Sequence, residues 1–430
     1  MADRLRALFV DHLSIPRGKY LPASKIGDGS SRFARATFGV HYDRDLLLDA
    51  PHAEVREGAP DMELRWRGND IRPGWEPRTS VVLGDLYDTE GSPLSLCPRG
   101  ALKRAISDWQ AHGLTPKLGI ELEAYALQGS EDGRLRPYDA PGGVVYGTGP
   151  FADPMRINDA IWNKAHEVGF RLDLITSEYD SPQFEYTLSF DDALQAIDDV
   201  VLFRLMAREI ALDHGIILTF LPKPLSDVGG SGMHINFSFW DETGKNALAA
   251  GEKGGPDHLN DLARGCLAGL VHHHKGLAGL IAPTTGSYQR LQPSSMSGYW
   301  QNWGGDHRGV TTRVSSEGGA KARLEHRMAD ASANPYTAAA AVLQAARLGF
   351  EAGHDLPKIE TGDGFEKIDA RVGTANTLRG AVKDLMADQA LVRAVGRELV
   401  ENHAFMKERE FRKTRDLEPE ALLDFYVWYI

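Results

Sequence analysis

Three short stretches of the chain carry polar groups at every second residue: Glu121 and Glu123, His234 and Asn236, and Arg323, Glu325 and Arg327. Apolar residues mostly fill the gaps, as in Ile120 and Leu122, Met233, Ile235 and Phe237, and Leu324. In an extended strand, side chains at i and i+2 share a face. Each stretch therefore aims its polar groups into one space and its greasy residues into a core. A solvated sheet face would favour Lys, Thr and Ser. Glu, His and Arg are instead the groups that hold metal ions and phosphates. The pattern implies a polar active-site interior.

Glu178 and Glu185 lie close together in the segment EYDSPQFEY. With Glu121, Glu123, Glu325 and His234 they make an oxygen-rich donor set, which suits Mg²⁺ or Mn²⁺ better than structural zinc with its Cys and His ligands. Taken alone, the Glu121/Glu123 pair reads as a solvated strand face. The company of the other groups reverses that reading.

Strands and helices must alternate to bring these groups together. Ile120–Leu127, Leu172–Glu178, Phe184–Leu188 and Met233–Trp240 read as strands. Asp153-Pro154 marks the start of a helix ending near Gly169. Leu194, Ile197, Val201 and Leu205 recur at helical spacing up to Gly215, and Asn334-Pro335 opens an alanine-rich helix. Leu378–Val400 reads as helical. Earlier, the text is broken by Gly, Pro and Asp, with short strands expected at Thr37–Tyr42, Glu63–Trp66 and Val81–Tyr87 and a turn at Asp88–Gly91. Pro98 begins a helix that stops at Gly113. The first residues, MADRLRALFVDHL, read as an amphipathic helix rather than a signal peptide. The change of texture divides the chain into residues 1–96 and 97–430, an α/β or α+β architecture in two domains.

The composition is that of a globular protein, 42% hydrophobic and 25% charged. A net charge of −12 argues against a nucleic-acid or anionic membrane partner, though not against a small phosphate-bearing ligand. No apolar run approaches the ~18 residues of a membrane span. Two cysteines, Cys97 and Cys266, make no framework and fit a reducing cytoplasm; both read as packing residues.

In order, GIELEAYAL, SEYDSPQFEYTL, KPLSDVGGSGMHINFS, SYQRLQP, DHRGVTTR and RLEHRMADASANPYTAAAA resemble the motifs of the glutamine synthetase superfamily. The resemblance runs from about residue 80 to the final WYI. It implies an α+β fold: a small N-terminal β-grasp domain, then a large catalytic domain with a curved antiparallel sheet and flanking helices. It also implies active sites between subunits of stacked rings, commonly twelve chains, and ATP and two or more Mg²⁺ or Mn²⁺ ions per site. By this resemblance Glu123, Glu178 and Glu185 hold the metal nearer the acceptor. Glu121, His234 and Glu325 hold the one on the nucleotide phosphates. Arg290, Arg308 and Arg327 hold the substrate carboxylate or the transferring phosphoryl group. Asp173, Asn236, Ser238 and Arg313 are expected beside the nucleotide, and Gly230, Met296 and Trp303 beside the substrates.

Several positions depart from the family pattern. Ammonia-using members bind ammonium with a carboxylate in a flap reading GYEAP, six residues after the arginine of the SYxRL motif. Here Met296 stands in that place. A second carboxylate, from the adjacent subunit, falls near Arg67, with Asp61 or Asp70 as possible substitutes. The family's HxH is His234-Ile235-Asn236, an Asn contacting the substrate amino acid is replaced by Gly229, and no NLYDLP-type adenylylation loop is present. An apolar pocket formed with Trp300 and Trp303 would suit an alkyl group, although both indoles could equally pack between subunits. The expectation is a ligase joining glutamate, or a close analogue, to an organic amine through an acyl phosphate. The alternatives are glutamine synthetase proper, using ammonium, and a catalytically silent regulatory paralogue. Two features stay outside this scheme: His272-His273-His274, read as surface or helix-end histidines without partners, and Lys407–Arg415, read as an exposed helix face.

Overall fold

The computed structural model describes residues 2–430. Seven strands precede the first α-helix: β1 (Arg4–Val10), β2 (Pro16–Pro22), β3 (Gly29–Ala34), β4 (Asp61–Trp66), β5 (Arg72–Pro73), β6 (Thr79–Leu83) and β7 (Asp85–Tyr87). They form a four-stranded sheet, β2-β1-β6-β5, and a three-stranded one, β3-β4-β7. The expected N-terminal helix is therefore the strand β1. Its Leu5, Ala7 and Phe9 join one apolar cluster while Leu8 and Val10 join another. A strand buried on both faces loses its two-residue alternation and cannot be told from a buried helix by pattern. Thr37–Tyr42, expected as a strand, begins instead within a 3-10 turn at Arg35–Gly39.

Helix α1 (Pro98–Gln110) follows, with Pro98 in its first turn and the Cys97 Sγ accepting from the Gly100 N–H at 3.4 Å. The large sheet contains β8 (Thr115–Gly129), β9 (Leu135–Pro137), β10 (Leu172–Ser177), β11 (Gln183–Asp192), β12 (Ile216–Thr219), β13 (Met233–Trp240), β14 (Trp303–Gly304), β15 (Thr312–Val314) and β16 (Leu324–His326). Its path is β10-β11-β8-β13-β16-β15-β14, with β9 and β12 pairing on β8. All pairs are antiparallel except β14–β15. Along β8, Leu118, Ile120, Leu122 and Ala124 are fully buried while the alternate residues are not. This alternation separates an apolar face from a polar one.

Ten further helices cover the apolar side and fill the C-terminal half: α2 (Ile157–Val168), α3 (Ala193–Asp213), α4 (Asp261–His272), α5 (His274–Ile281), α6 (Ser287–Arg290), α7 (Pro335–Ala352), α8 (Leu378–Ala387), α9 (Gln389–Val395), α10 (Arg397–Thr414) and α11 (Pro419–Tyr426). Asn334 caps α7 by accepting from the N–H groups of Tyr336 and Thr337 at 3.0 and 3.2 Å. The alanines of α7 let α4 cross at backbone contact: a Cβ on Gly269 would lie 2.1 Å from the Ala345 carbonyl oxygen. Asp153 still holds the start of α2, accepting from the Asn158 N–H at 2.8 Å, although that helix begins at Ile157. Leu378–Val400 is three helical pieces, broken at Asp388 and at Gly396 (φ 126°). The charge run on α10 is only partly exposed. Lys407 and Glu410 are buried and paired at 2.7 Å, and Tyr426 donates to Glu410 at 2.7 Å. Among the described residues no helix is long and apolar enough to cross a membrane.

Two buried imidazoles give the fold a pH dependence. Burial, helped by nearby His274, pushes His326 down to about 3, and burial with the Lys407 charge does the same to His403. In the unfolded chain both regain a value near 6.5. Below that value the unfolded state binds more protons, so stability is lost as pH falls from about 6.5 toward 3. Each imidazole should cost unfolding free energy, measured in urea, between about pH 7.5 and 5.5, by up to ~1.4 kcal/mol per pH unit, while Glu185, raised to about 7, acts in the opposite sense. Between these pH values His403→Gln should lose less stability, or gain more, than wild type, and equal pH slopes in the two proteins would contradict the assignment.

Candidate active site

Strand register assembles the polar groups. Glu123 on β8 sits opposite Glu185 on β11, Glu121 sits opposite His234 on β13, and Asn236 on β13 sits opposite Glu325 on β16. Directly opposed residues on one sheet face are within side-chain reach. Glu178 follows the end of β10 and completes the set. The six expected ligands form two groups, Glu121, His234 and Glu325, and Glu123, Glu178 and Glu185. Each group's ligand atoms lie within 4.8 Å of one another.

The first group is mixed in charge. His234 Nδ1 is 3.0 Å from Glu121 and 3.7 Å from Glu325, and the Asn236 amide donates to Glu121 at 3.0 Å. Arg327 donates to Glu325 at 2.5 Å and Arg313 does so at 3.1 Å. Burial opposes ionisation of Glu121, but the hydrogen bonds from His234 and Asn236 and the Arg327 charge outweigh it and hold this carboxyl down at about 2. Burial and the Arg327 charge press His234 down, but Glu121 and Glu123 outweigh them and raise it.

The second group is nearly all acid. Burial and the charges of Glu121, Glu178 and Glu123 push Glu185 up to about 7, and burial with the Glu123 charge raises Glu178. Three carboxyls this close cannot all ionise unless a cation stands among them. Hard oxygen donors at this density fit Mg²⁺ or Mn²⁺, and the first group, with one imidazole, fits a second such ion.

The arginines divide by environment. Arg290 is buried, its guanidinium donating to the carbonyls of Met328 at 2.8 Å and Arg327 at 3.2 Å. Arg327 is also buried, whereas Arg308 is exposed on the loop after β14. Arg323, expected on the same face as Glu325, is instead exposed and paired with Glu317 at 2.6 Å.

Other expected residues scatter more. Asn236 joins the first group, and Ser238, two residues on along β13, accepts from the Trp240 indole at 3.1 Å. Asp173 stands apart, exposed on the edge strand β10 and bonded to Ser189. Trp303 does not line an open pocket. It is 5% exposed, packs in the main core and donates its indole N–H to the Pro357 carbonyl at 2.8 Å. Met296 is half exposed, and Trp300 nearby donates to the Pro293 carbonyl at 2.8 Å. Of the acidic substitutes near Arg67, Asp70 is bound to Arg67 itself at 3.0 Å.

Two supporting residues escaped the sequence reading. The Gly232 N–H donates to Glu123 at 2.7 Å, and Gln183 bridges the Gly230 carbonyl and Ser231 hydroxyl at 3.2 Å each. The glycines of GSGMH carried the signal. A Cβ on Gly230 would lie 2.6 Å from the Arg290 side chain, and one on Gly232 would lie 2.8 Å from its guanidinium and 3.0 Å from His234 Nε2. Only glycine lets the backbone come between acid and arginine.

Comparison with known proteins agrees with this geometry. Residues 95–425 match the family description "Glutamine synthetase, catalytic domain". The glutamine synthetase of Halobacterium salinarum is 28% identical, over 99% of this chain and 93% of its own length. A Pseudomonas glutamate–isopropylamine ligase is 28% identical over 79% of this chain and 73% of its own. Among solved structures, a GmaS/ADP complex superposes with a TM-score of 0.83 at 26% identity, covering 97% of this chain and 95% of that one.

The Gly232 contact predicts a measurable effect. Gly232→Ala should weaken Mn²⁺ binding by roughly 10–100-fold, as lost support behind a ligand does, with an unchanged circular dichroism spectrum. Wild-type affinity in a Mn²⁺ titration would remove Gly232 from this role.

Proposed function

The chain belongs to the glutamine synthetase family, whose members are ATP-dependent ligases forming C–N bonds, and on that premise we propose that it joins the γ-carboxyl of glutamate, or a close analogue, to an organic amine. The observation that carries the acceptor assignment is Met296. A thioether stands, half exposed, where ammonia-using relatives are expected to carry an ammonium-binding carboxylate. Of the two acids near the place of the second carboxylate, Asp70 is paired with Arg67 at 3.0 Å and Asp61 lies 4.0 Å from Arg32. Without anionic partners a small cation loses most of its attraction, while an alkyl group gains apolar contact. The likeness to a glutamate–isopropylamine ligase supports the same reading.

In this proposal a carboxylate oxygen of the acid attacks the γ-phosphorus of ATP, ADP leaves, and an acyl phosphate results. The amine then attacks its carbonyl carbon, loses a proton and expels phosphate. Divalent cations held by Glu121, His234 and Glu325 and by Glu123, Glu178 and Glu185 would neutralise charge on the phosphoryl oxygens. Arg290, its guanidinium fixed by two carbonyls, and Arg327, locked to Glu325, present pre-oriented donors to the substrate carboxylate and phosphoryl group. Arg308, exposed and without a carboxylate partner, would be free to donate to the transferring phosphoryl group. Asn236, Ser238 and Arg313 would face the nucleotide in this proposal, whereas Asp173, exposed on the edge strand β10, stands apart from both ligand groups. In the same proposal residues 1–96 form the smaller domain and residues 97–430 the catalytic one, in a ring-shaped cytoplasmic oligomer whose sites are completed between subunits.

Three outcomes test the proposal. Phosphate release with ATP and glutamate should be faster with small alkylamines than with ammonium; turnover with ammonium equal to the best of a broad amine panel would return the protein to glutamine synthesis. Met296→Glu should improve use of ammonium. Glu325→Ala should lower kcat on the order of 10³-fold with the oligomer intact by size exclusion, and unchanged turnover would take this residue out of the site.

A further inference from the structure

A third group of ligating side chains shares no residue with the two acidic groups. His272, His273 and His354 each bring a ring nitrogen to within 4.8 Å of the other two. His272 is the last residue of α4, His273 is the joint between α4 and α5, and His354 follows Gly353, whose left-handed backbone (φ 63°) ends α7. Two helices thus end at this group, and their free carbonyl ends favour a cation there. The rings of His272 and His354 lie parallel with centroids 4.0 Å apart, so the exposed His272 must turn for both in-plane lone pairs to meet one ion, and His273 meets His272 edge-on at 4.8 Å.

His273 supplies the second, independent observation. It is 3% exposed, and its Nδ1 meets the Asp388 carboxylate at 2.6 Å. Asp388 is itself held in place as the cap of α9, accepting from the Leu391 N–H at 3.1 Å. With Nδ1–H donated to the carboxylate, Nε2 carries the lone pair, and this buried atom has no hydrogen-bond partner. A buried nitrogen without a partner is costly. A carboxylate behind one imidazole nitrogen, with the other nitrogen unpartnered and two further imidazoles adjacent, is the arrangement that orients histidine toward a metal.

We propose that His272, His273 and His354 bind one divalent transition-metal ion of the zinc class, with Asp388 positioning His273. Neutral imidazoles select Zn²⁺, Co²⁺ or Ni²⁺ over Mg²⁺, which takes oxygen ligands. Three protein ligands beside the exposed His272 leave a fourth position to water. The ion ties the α4–α5 joint to the end of α7 and the start of α9. From the same joint, His274 Nε2 contacts the Tyr299 carbonyl at 3.0 Å and Gln301 donates to the Val271 carbonyl at 2.6 Å. The site therefore braces the segment that carries Trp300.

The test uses the whole protein, stripped with chelator and returned to excess Mg²⁺ so that the carboxylate groups are filled, then titrated with Co²⁺ alone. We expect one Co²⁺ per chain with the intense visible absorption of four-coordinate nitrogen ligation, displaced by Zn²⁺. His272→Ala and His354→Ala change side chains within reach of solvent and keep the fold; each should weaken this binding by at least ~100-fold, and Asp388→Asn by about 10–100-fold. Turnover of His272→Ala in Mg²⁺ should match wild type. A wild-type titration lacking that absorption, or Co²⁺ affinity equal in wild type and His272→Ala, would overturn the site.

Discussion

Repulsion between carboxyl groups is the constraint around which this molecule is arranged. Glu121, Glu123, Glu178, Glu185 and Glu325 converge on one region of a single sheet, a concentration of negative charge that folding alone would avoid. It is tolerated because β8 lies between β11 and β13, which fixes each acid against a specific neighbour. The apolar face of the same strand, Leu118 to Ala124, holds that register, since a slip of one residue would exchange the two faces.

The repulsion is resolved differently in the two halves of the site. Around Glu121 and Glu325, His234, Asn236, Arg313 and Arg327 supply protons and positive charge, so Glu121 stays ionised far below neutrality. Around Glu185, burial and the charges of Glu121, Glu178 and Glu123 outweigh the one opposing imidazole, His234, and its carboxyl rises to about 7. Acids that hold a proton so close to neutrality exchange it readily for a hard divalent cation, with proton release on binding. The asymmetry gives one sheet face both a pre-charged arginine wall and a demanding acidic trio, the two things phosphoryl transfer to a carboxylate requires.

Backbone approach is the second device. Gly230 and Gly232 let one segment run against Arg290 and His234 while its N–H steadies Glu123. Gly269 and Gly349 do the same for α4 and α7, and through that crossing they help place the imidazole group at the helix ends. In both places removal of a side chain allows two polar groups to be positioned across a distance that a Cβ would occupy.

Local pattern alone determined a good deal here. The two-residue spacing of Glu121 and Glu123 and of His234 and Asn236 places each pair on one strand face, while the grouping of the six expected ligands came from the family resemblance and not from spacing. The Asn334-Pro335 cap and the alanine run behind it announce α7, because capping and helical spacing are local effects. Tertiary structure decided the rest. β1 became a strand because it is sandwiched between two cores, Trp303 entered the main core, and Lys407 with Glu410 left the solvent as a pair. His354 and Asp388 reached His272 and His273 across long stretches of chain. These outcomes depend on what packs against a residue from far away, and spacing along the chain carries no record of that.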